Sequence, residues 1–419
     1  MIDRILEQLT AHKTVVKNIG YLSVLQVVNM LLPLITYPYL IRVLGKETYG
    51  IVVLAQATIA YLVILISFGF NISATKLISQ YRDDKEKLSE TVSATFTIKF
   101  ILLLISVGIL LIILLVLPAA QSHKALFCLM MWNCVYELVS PLWYFQGIEQ
   151  MKFITLTALL SRLIFLVLIF LVVHSPSDYL YVPIINGIGA LVSGVVGIYI
   201  IFKLHKVRFK LYSYTIIRTH LAESWPIFIS RVSSFKDNTP PFLIGLFIGE
   251  VAVTYYDLAQ KIVSVFIVVL DNVAVAVFPM IASTRNYAFL RKVMLYQLIA
   301  IVVLYAGLQF FGTYLVMLVG GRDLIPAASL FGFVGLFLLR PASSIIGNCV
   351  LILNGYNKAF MKNLVLSTAF YFLVTLVLYA TDSLTLYTIC ATIVGALLFE
   401  LIHRLFLVKK YDLSSMIYA

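Results

Sequence analysis

Residues 100–117 read FILLLISVGILLIILLVL: eighteen residues, no charge, one Ser and one Gly. A helix that crosses about 30 Å of hydrocarbon needs roughly 20 apolar residues, and this run sits inside a longer one, 92–117. It is too long and too continuously apolar for a barrel strand, which alternates over about 10 residues. Similar runs recur at 15–36, 50–70, 125–145, 153–173, 179–202, 225–247, 252–281, 295–319, 326–353, 363–379 and 384–408. The expected fold is therefore an all-α polytopic membrane protein with about twelve transmembrane helices.

Composition agrees. Of 419 residues, 62% are hydrophobic and 12% charged, against about 25% charged in an average soluble domain. Mean hydropathy is +1.01. A soluble exterior cannot be built from so few charges. That excludes a soluble enzyme, a secreted disulfide scaffold and a disordered chain. The first span does not read as a cleavable signal, because its apolar run is long and no small-residue cleavage site follows. Before it, Ile2, Ile5, Leu6 and Leu9 recur at helical spacing among Asp3, Arg4 and Glu7. Residues 1–14 are expected to lie on the membrane surface as an amphipathic helix.

Lys and Arg are divided unequally between alternate loops. Twenty-one fall on one side, among them Lys76, Arg82, Lys203, Lys206, Arg208, Lys210, Arg285, Lys358, Arg404 and Lys410; the other side has Arg42, Lys46, Lys124 and Arg322. The positive-inside rule then places both termini in the cytoplasm, and the same bias accounts for most of the net charge of +12. Nucleic-acid binding is a poor explanation of that charge, since no soluble part exists to carry a groove. Cys128, Cys134, Cys349 and Cys390 all lie in spans and read as small apolar residues. No phosphate loop, metal-ligand cluster or nucleophile elbow is present, so neither a metal, a cofactor nor a catalytic residue is expected.

The chain repeats itself. Leu44-Gly45-Lys46 enters the second span and continues to Leu54-Ala55-Gln56; Ile248-Gly249-Glu250 enters the eighth and continues to Leu258-Ala259-Gln260. Gly45 and Gly249 are 204 apart, as are Gln56 and Gln260. Phe145-Gln146-Gly147 and Leu353-Asn354-Gly355 give a second echo at nearly the same offset. Six helices separate the halves, so a parallel repeat with a pseudo-twofold along the membrane normal is expected. The expected organisation is a bundle at 15–202, a basic cytoplasmic linker at 203–224, a second bundle at 225–408 and a cytoplasmic tail at 409–419. Transporters of this build hold substrate between bundles and alternate access by rocking.

Ionisable groups within spans are costly and mark functional candidates. The cations are Lys99, Arg162, Arg231, Lys236, Lys261 and Arg340; the acids are Glu137, Asp237, Asp257, Asp271 and Glu400. Asp257, Lys261, Ser264 and Asp271 form one stripe on the eighth helix. Arg340, Ser344, Gly347 and Asn348 share a face of the tenth, Asn133, Glu137, Ser140 and Tyr144 of the fourth, and Gln26, Asn29, Pro33 and Thr36 of the first. Plainer readings stand beside these. Asp257–Lys261 reads equally as an intrahelical ion pair, Lys236–Asp237 as a local neutralising pair, Glu400–Arg404 as structural, and Lys99 and Arg162 as snorkelling cations. Arg231 and Arg340 resist that treatment. Pro33 and Pro38 bracket the end of the first span and Pro240-Pro241 break the seventh, its repeat partner. Gly189, Ser193 and Gly197 read as a close-packing stripe.

A cavity lined by cations favours an anionic solute. The candidates for contact are Arg231, Arg340, Lys261, Lys236, Arg162 and Arg42, with Asp257, Asp271 and Glu137 as candidate H⁺ or Na⁺ sites.

The stretch from Leu31 to Gly45 (Leu-Leu-Pro-Leu-Ile-Thr-Tyr-Pro-Tyr-Leu-Ile-Arg-Val-Leu-Gly), then Tyr49-Gly50, Ala55-Gln56-Ala57 and Phe68-Gly69-Phe70-Asn71-Ile72-Ser73-Ala74-Thr75, resembles the amino-terminal pattern of Wzx-type O-antigen flippases. These belong to the polysaccharide branch of the MOP exporter superfamily. Trp143-Tyr144-Phe145-Gln146-Gly147-Ile148-Glu149 resembles the same family after its fourth helix. The likeness lies mostly in the first 160 residues; the second half matches in topology. The resemblance implies a 12-helix bacterial inner-membrane flippase, not an enzyme. Its substrate would be an undecaprenyl-pyrophosphate-linked oligosaccharide repeat unit, moved from the cytoplasmic to the periplasmic leaflet. Implied partners are that lipid-linked substrate, membrane lipid, and as candidates a polysaccharide polymerase and a chain-length regulator. Only Arg42 falls inside the matched motif. Two other readings compete: a drug or cation antiporter of the same superfamily, which wants an acidic, aromatic cavity, and a polysaccharide polymerase or ligase, which wants a large periplasmic catalytic loop.

Overall fold

The chain breaks its helices where it lacks side chains or hydrogen bonds to continue them. In the computed structural model, which describes residues 2–232 and 235–417, the helices are α1 (Ile2–Ser67), α2 (Phe70–Tyr81), α3 (Lys85–Val116), α4 (Lys124–Gly147), α5 (Met151–Val172), α6 (Pro176–Leu204), α7 (Tyr214–Val232), α8 (Phe235–Phe247), α9 (Glu250–Thr284), α10 (Tyr287–Gly320), α11 (Arg322–Ile352), α12 (Asn357–Ala380) and α13 (Leu386–Lys410). No strand occurs among the described residues. Ten stretches of these residues are long and apolar enough to cross a membrane. One, Ser23–Tyr81, is 59 residues long and holds the larger part of the first sequence span and all of the second, on either side of Gly45. The seventh span, 225–247, is shared between α7 and α8 on either side of 233–234, which lie outside the described residues. The protein is thus an all-α, multi-pass membrane protein. Its outward apolar side chains stay exposed, Phe310 at 83% for instance, because lipid is their solvent.

The repeat is visible in the backbone. Gly45 (φ 76) and Gly249 (φ 120) both break into positive φ before a helix starts, 204 residues apart, a geometry that glycine adopts without a Cβ clash. Leu117 and Gly321, also 204 apart, end α3 and α10. Asp84 and Asn286, 202 apart, are N-caps whose side chains accept from backbone N–H groups of the next turn. Ser175 and Thr385 close capping boxes 210 apart. Lys206 and Asp412, 206 apart, are left-handed. The echo between Gly147 and Gly355 is only approximate. Gly147 is helical and packed so closely that an added Cβ would lie 2.5 Å from Ile78, and the left-handed residue is Glu149 (φ 59), 206 before Gly355 (φ 85).

Prolines behave differently from expectation. α1 continues through Pro33 and Pro38 to Gly45, and α8 runs through Pro240 and Pro241. Each proline removes one internal hydrogen bond, which bends a helix without ending it when neighbours hold both sides. The irregular helices are α4 and α11 instead. α4 is interrupted at Met131 and at Ser140-Pro141. α11 passes from 3₁₀ turns through short α segments to a π turn at Ile346–Ile352. Such departures inside a span are tolerated where the backbone lines a cavity or is covered by protein.

The chain divides into two compact units. The amino-terminal unit holds residues up to Gly45 and Ala55–Val232. Gly189 of α6 packs on α5, an added Cβ lying 2.7 Å from Ser161 O, and Gly197 packs on Pro141 at 2.8 Å. Ser193 between them is buried. The segment read from sequence as a linker is pinned to this unit: Arg208 N–H donates to Ser89 Oγ (3.2 Å) and Lys210 N–H to Ser93 Oγ (3.1 Å). α1 continues from Ile2 without a break until Gly45. The side chains of 2–16, which include the amphipathic stretch, lie outside the described residues.

The carboxy-terminal unit holds Lys46–Leu54 and the described residues from Phe235 on. Its two helix starts cross reciprocally. Thr254 Oγ1 donates to Lys46 O (2.5 Å), and Gly50 lies so close to Glu250 that an added Cβ would be 1.9 Å from its carbonyl oxygen. Lys46 and Glu250, and likewise Gly50 and Thr254, are equivalent positions 204 apart.

Candidate functional site

Most of the intramembrane charges are paired; Lys99–Glu137, Lys236–Glu400 and Arg340–Asp237 cross between helices, while Lys261–Asp257 and Arg404–Glu400 lie within one helix. In the carboxy-terminal unit α8 carries Lys236 and Asp237 as sequence neighbours, about 100° apart around the helix. They do not neutralise each other. Lys236 Nζ donates to Glu400 Oε2 (2.6 Å) and Ser367 Oγ (2.7 Å), while Asp237 pairs with Arg340 of α11. Glu400 reaches a second cation, since Arg404 Nη2 lies 2.7 Å from its Oε1. Arg404 also donates to Asn363 Oδ1 (3.0 Å) and to the carbonyl and hydroxyl of Ser343 (2.6 and 2.9 Å), and packs over the Phe360 ring. Its side chain is 4% exposed. The loop assignment of Arg404 is therefore corrected: it lies inside the protein, because one Glu carboxylate and two serine oxygens replace its water.

These groups surround a cavity of about 210 Å³ lined by Lys236, Asp237, Arg340, Ser344, Glu400 and Arg404, with apolar α12 and α13 residues. Arg340 and Asp237 are its accessible part, with side chains 31% and 37% exposed. The Arg340 guanidinium also stacks over Phe337, 4.9 Å from the ring centre. Arg340 sits where 3₁₀ turns give way to α-helix, one residue before Pro341.

A second constellation lies elsewhere in this unit. Tyr49 donates its hydroxyl to Asp257 Oδ2 (2.6 Å), and Lys261 Nζ donates to both the same carboxylate oxygen (2.5 Å) and the Tyr49 oxygen (2.6 Å). Asp257 is 8% exposed. The intrahelical pair is present, with a tyrosine from the Lys46–Leu54 segment added to it. Asp271, two heptads beyond Asp257, is half-buried and makes no ion pair among the described residues.

In the amino-terminal unit, Lys99 is wholly buried; its Nζ donates to the side chain (2.8 Å) and backbone carbonyl (2.9 Å) of Glu137. The snorkelling reading of Lys99 is corrected, since no part of it reaches a surface. Glu137 faces a cavity of about 410 Å³ in the same unit, which Asn29, Gln56, Asn71, Asn133, Ser140 and Arg162 also line. Ser140 here and Ser344 in the other unit are 204 apart, so each half carries its own cavity at the irregular part of its fourth helix. Tyr144 departs from the face predicted for it. It is 1% exposed, and its hydroxyl meets His205 Nδ1 at 2.9 Å.

The remaining candidates stand apart. Arg231 is exposed at the end of α7, and Arg42 is exposed on α1. Sequence reasoning undervalued Arg404, Glu400 and Lys99. The signal was present in the spacing of Glu400 and Arg404, and of Asn363 and Ser367, each four residues apart inside a span.

Known proteins resemble the chain along most of its length. Residues 15–285 match the family described as polysaccharide biosynthesis protein. A putative O-antigen transporter of Escherichia coli is 30% identical over 363 residues, covering 83% of this chain and 86% of the relative. One of Shigella dysenteriae is 26% identical over 405 residues, covering 94% and 99%. In fold, an inward-facing multidrug resistance MATE family transporter of the MOP superfamily aligns with a TM-score of 0.66 over 92% of this chain and 95% of its own, at 15% identity. The lipid II flippase MurJ, in an inward closed conformation, also gives 0.66, over 93% and 87%, at 13% identity. With its first two thirds matched by one family and a 30% identical relative along most of its length, the chain belongs to the polysaccharide biosynthesis protein family and has the fold of the MOP transporters.

Proposed function

We propose that the protein is a flippase for a lipid-linked oligosaccharide of the O-antigen type, carried on undecaprenyl pyrophosphate from the cytoplasmic to the periplasmic leaflet of the bacterial inner membrane. Its relatives are named as O-antigen transporters, and its fold is shared with a lipid II flippase. The observation that carries the reading is the cation-rich cavity in the carboxy-terminal unit, where Lys236, Arg340 and Arg404 face two carboxylates inside the membrane-spanning part. The anionic headgroup exchanges with Asp237 for the accessible Arg340 guanidinium, whose planar donors suit pyrophosphate oxygens in a bidentate grip. Arg231, Lys261, Arg162 and Arg42 supply further positive charge along the path. The prenyl tail remains in lipid, and the two units rock to change the side of access. Both termini are cytoplasmic in this scheme.

The reading makes the protein a carrier without a catalytic step. A cationic drug is a poor fit, because Glu137, Asp237, Asp257 and Glu400 already hold cations of the protein. Asp271, outside these pairs, is the coupling-ion candidate.

The test is transbilayer movement of labelled lipid-linked repeat unit in proteoliposomes. Arg340→Ala is expected to lower the rate by at least about tenfold, on the order of 1.4 kcal/mol, without loss of membrane insertion. Arg340→Lys keeps the charge, loses the bidentate geometry and restores part of the rate. Unchanged movement in Arg340→Ala rejects this cavity as the headgroup site.

A further inference from the structure

We propose that the amino-terminal cavity is a saccharide subsite, which reads the sugar portion of the substrate. The proposal rests on the reading of the chain as a carrier of a lipid-linked oligosaccharide.

Five carboxamides line this cavity: Asn29, Gln56, Asn71, Asn133 and Asn186. They come from different helices, α1, α2, α4 and α6, and converge on one space. Their hydrogen-bonding capacity is largely unspent. Among the described residues the side chains of Asn29, Gln56 and Asn186 make no hydrogen bond. Asn71 has one long contact to Ser67 Oγ (3.4 Å), and Asn133 reaches only a methionine sulfur (3.9 Å). Each carboxamide offers two donors and an acceptor. Asn29 and Gln56 are exposed and Asn186 partly so, which leaves these amides open to a ligand that enters the cavity. Their number therefore calls for a partner with donors and acceptors on every side, which describes a sugar ring and its hydroxyls.

Three other classes of ligand fit less well. A lipid tail or apolar drug would leave the amides unpaired. A cation would need a free carboxylate, and Glu137 is held by the buried Lys99. A pyrophosphate would need several cations, and Arg162 is the cation of the lining. That single charge accommodates a neutral or mildly acidic sugar. The volume, about 410 Å³, falls in the roughly 300–1,000 Å³ range of small-molecule sites. Tyr136 adds an aromatic face against which the C–H face of a ring packs.

A site that hydrogen-bonds hydroxyls rejects a ligand that lacks them, because its polar groups are then buried unpaired. The experiment uses the purified full-length chain and two probes. Farnesyl pyrophosphate carries the anion and a prenyl chain without sugar. The second probe is the lipid-linked repeat unit extracted from the source strain. The wild type is expected to bind the glycosylated probe at least about tenfold more tightly. In Gln56→Leu/Asn186→Leu that preference disappears, while farnesyl pyrophosphate binding stays within about twofold of wild type. Where the double variant melts at a lower temperature, Gln56→Ser and Asn186→Ser, which shorten the reach but keep polarity, repeat the comparison and are expected to lose part of the preference. Retention of the full preference in both sets overturns the saccharide subsite and leaves the carrier reading standing. Equal loss of both probes in a variant that melts like wild type also overturns it. A wild type that binds neither probe overturns the carrier reading itself.

Discussion

At the level of single residues, the protein manages its intramembrane charges by sharing acids between cations. Glu400 serves both Lys236 and Arg404, so its removal leaves two buried charges without a counterion. Breaking such an arrangement costs about 3–5 kcal/mol. Glu400→Gln is expected to lower the melting temperature in detergent sharply, and a second substitution, Lys236→Met, to recover part of the loss, as coupled sites do. A melting curve unchanged by Glu400→Gln would contradict the shared pairing. A second residue-scale expectation concerns pH. Burial, with the Lys152 charge, holds the His205 imidazole below its ordinary value of 6.5. Burial does the same to His220, against the opposing pull of Glu223 and Glu90. Each group then binds its proton more readily in the unfolded chain. Stability is full above the unfolded value and falls as pH drops below about 6.5. Scans of melting temperature from pH 7.5 to 5.5 are expected to slope less steeply in His205→Asn than in wild type. Identical slopes would mean that His205 titrates freely.

At the level of elements, close approach between helices depends on positions without a side chain. The helix start at Gly50 lies against the Glu250 carbonyl, and neither backbone can retreat without loss of the Thr254 hydroxyl bond to Lys46. Gly50→Ala is expected to destabilise the protein, whereas Gly108→Ala, which meets nothing within 4 Å on the lipid face of α3, gains about 0.5–1 kcal/mol from helix propensity. Thermal melting of the two variants against wild type checks the contrast, and equal effects would refute the close crossing. The spans and the small-residue stripe of α6 were legible from composition and spacing, since both depend on local sequence. The irregular course of α4 and α11 was not. Proline suggested breaks at Pro33, Pro38 and Pro240, yet those helices continue through them. The breaks fall instead at Gly45 and around Ser140-Pro141.

At the level of the whole molecule, the proposed transport carries negative charge outward, in the direction that an interior-negative potential favours. Each elementary charge gains about 2.3 kcal/mol per 100 mV, so a doubly charged pyrophosphate gains roughly 4–5. In proteoliposomes with potential and ion gradients imposed separately, an inside-negative potential is expected to accelerate outward movement with no Na⁺ or H⁺ gradient present. Movement that follows an ion gradient and ignores potential would move the coupling to Asp271. The chain's own sequence was sufficient to determine its solvent, its spans and its duplication. Apolar run length and caps are properties of short segments, and the repeat was read from several matches at nearly one offset, among them Gly45 with Gly249 and Gln56 with Gln260. Only the tertiary structure decided which charge answers which. Spacing of four residues relates Asp257 to Lys261 on one helix, but Lys236 and Glu400 are 164 residues apart. Lys99 and Glu137 meet only because α3 packs on α4. A partner across a helix interface is chosen by packing, and no local pattern encodes it.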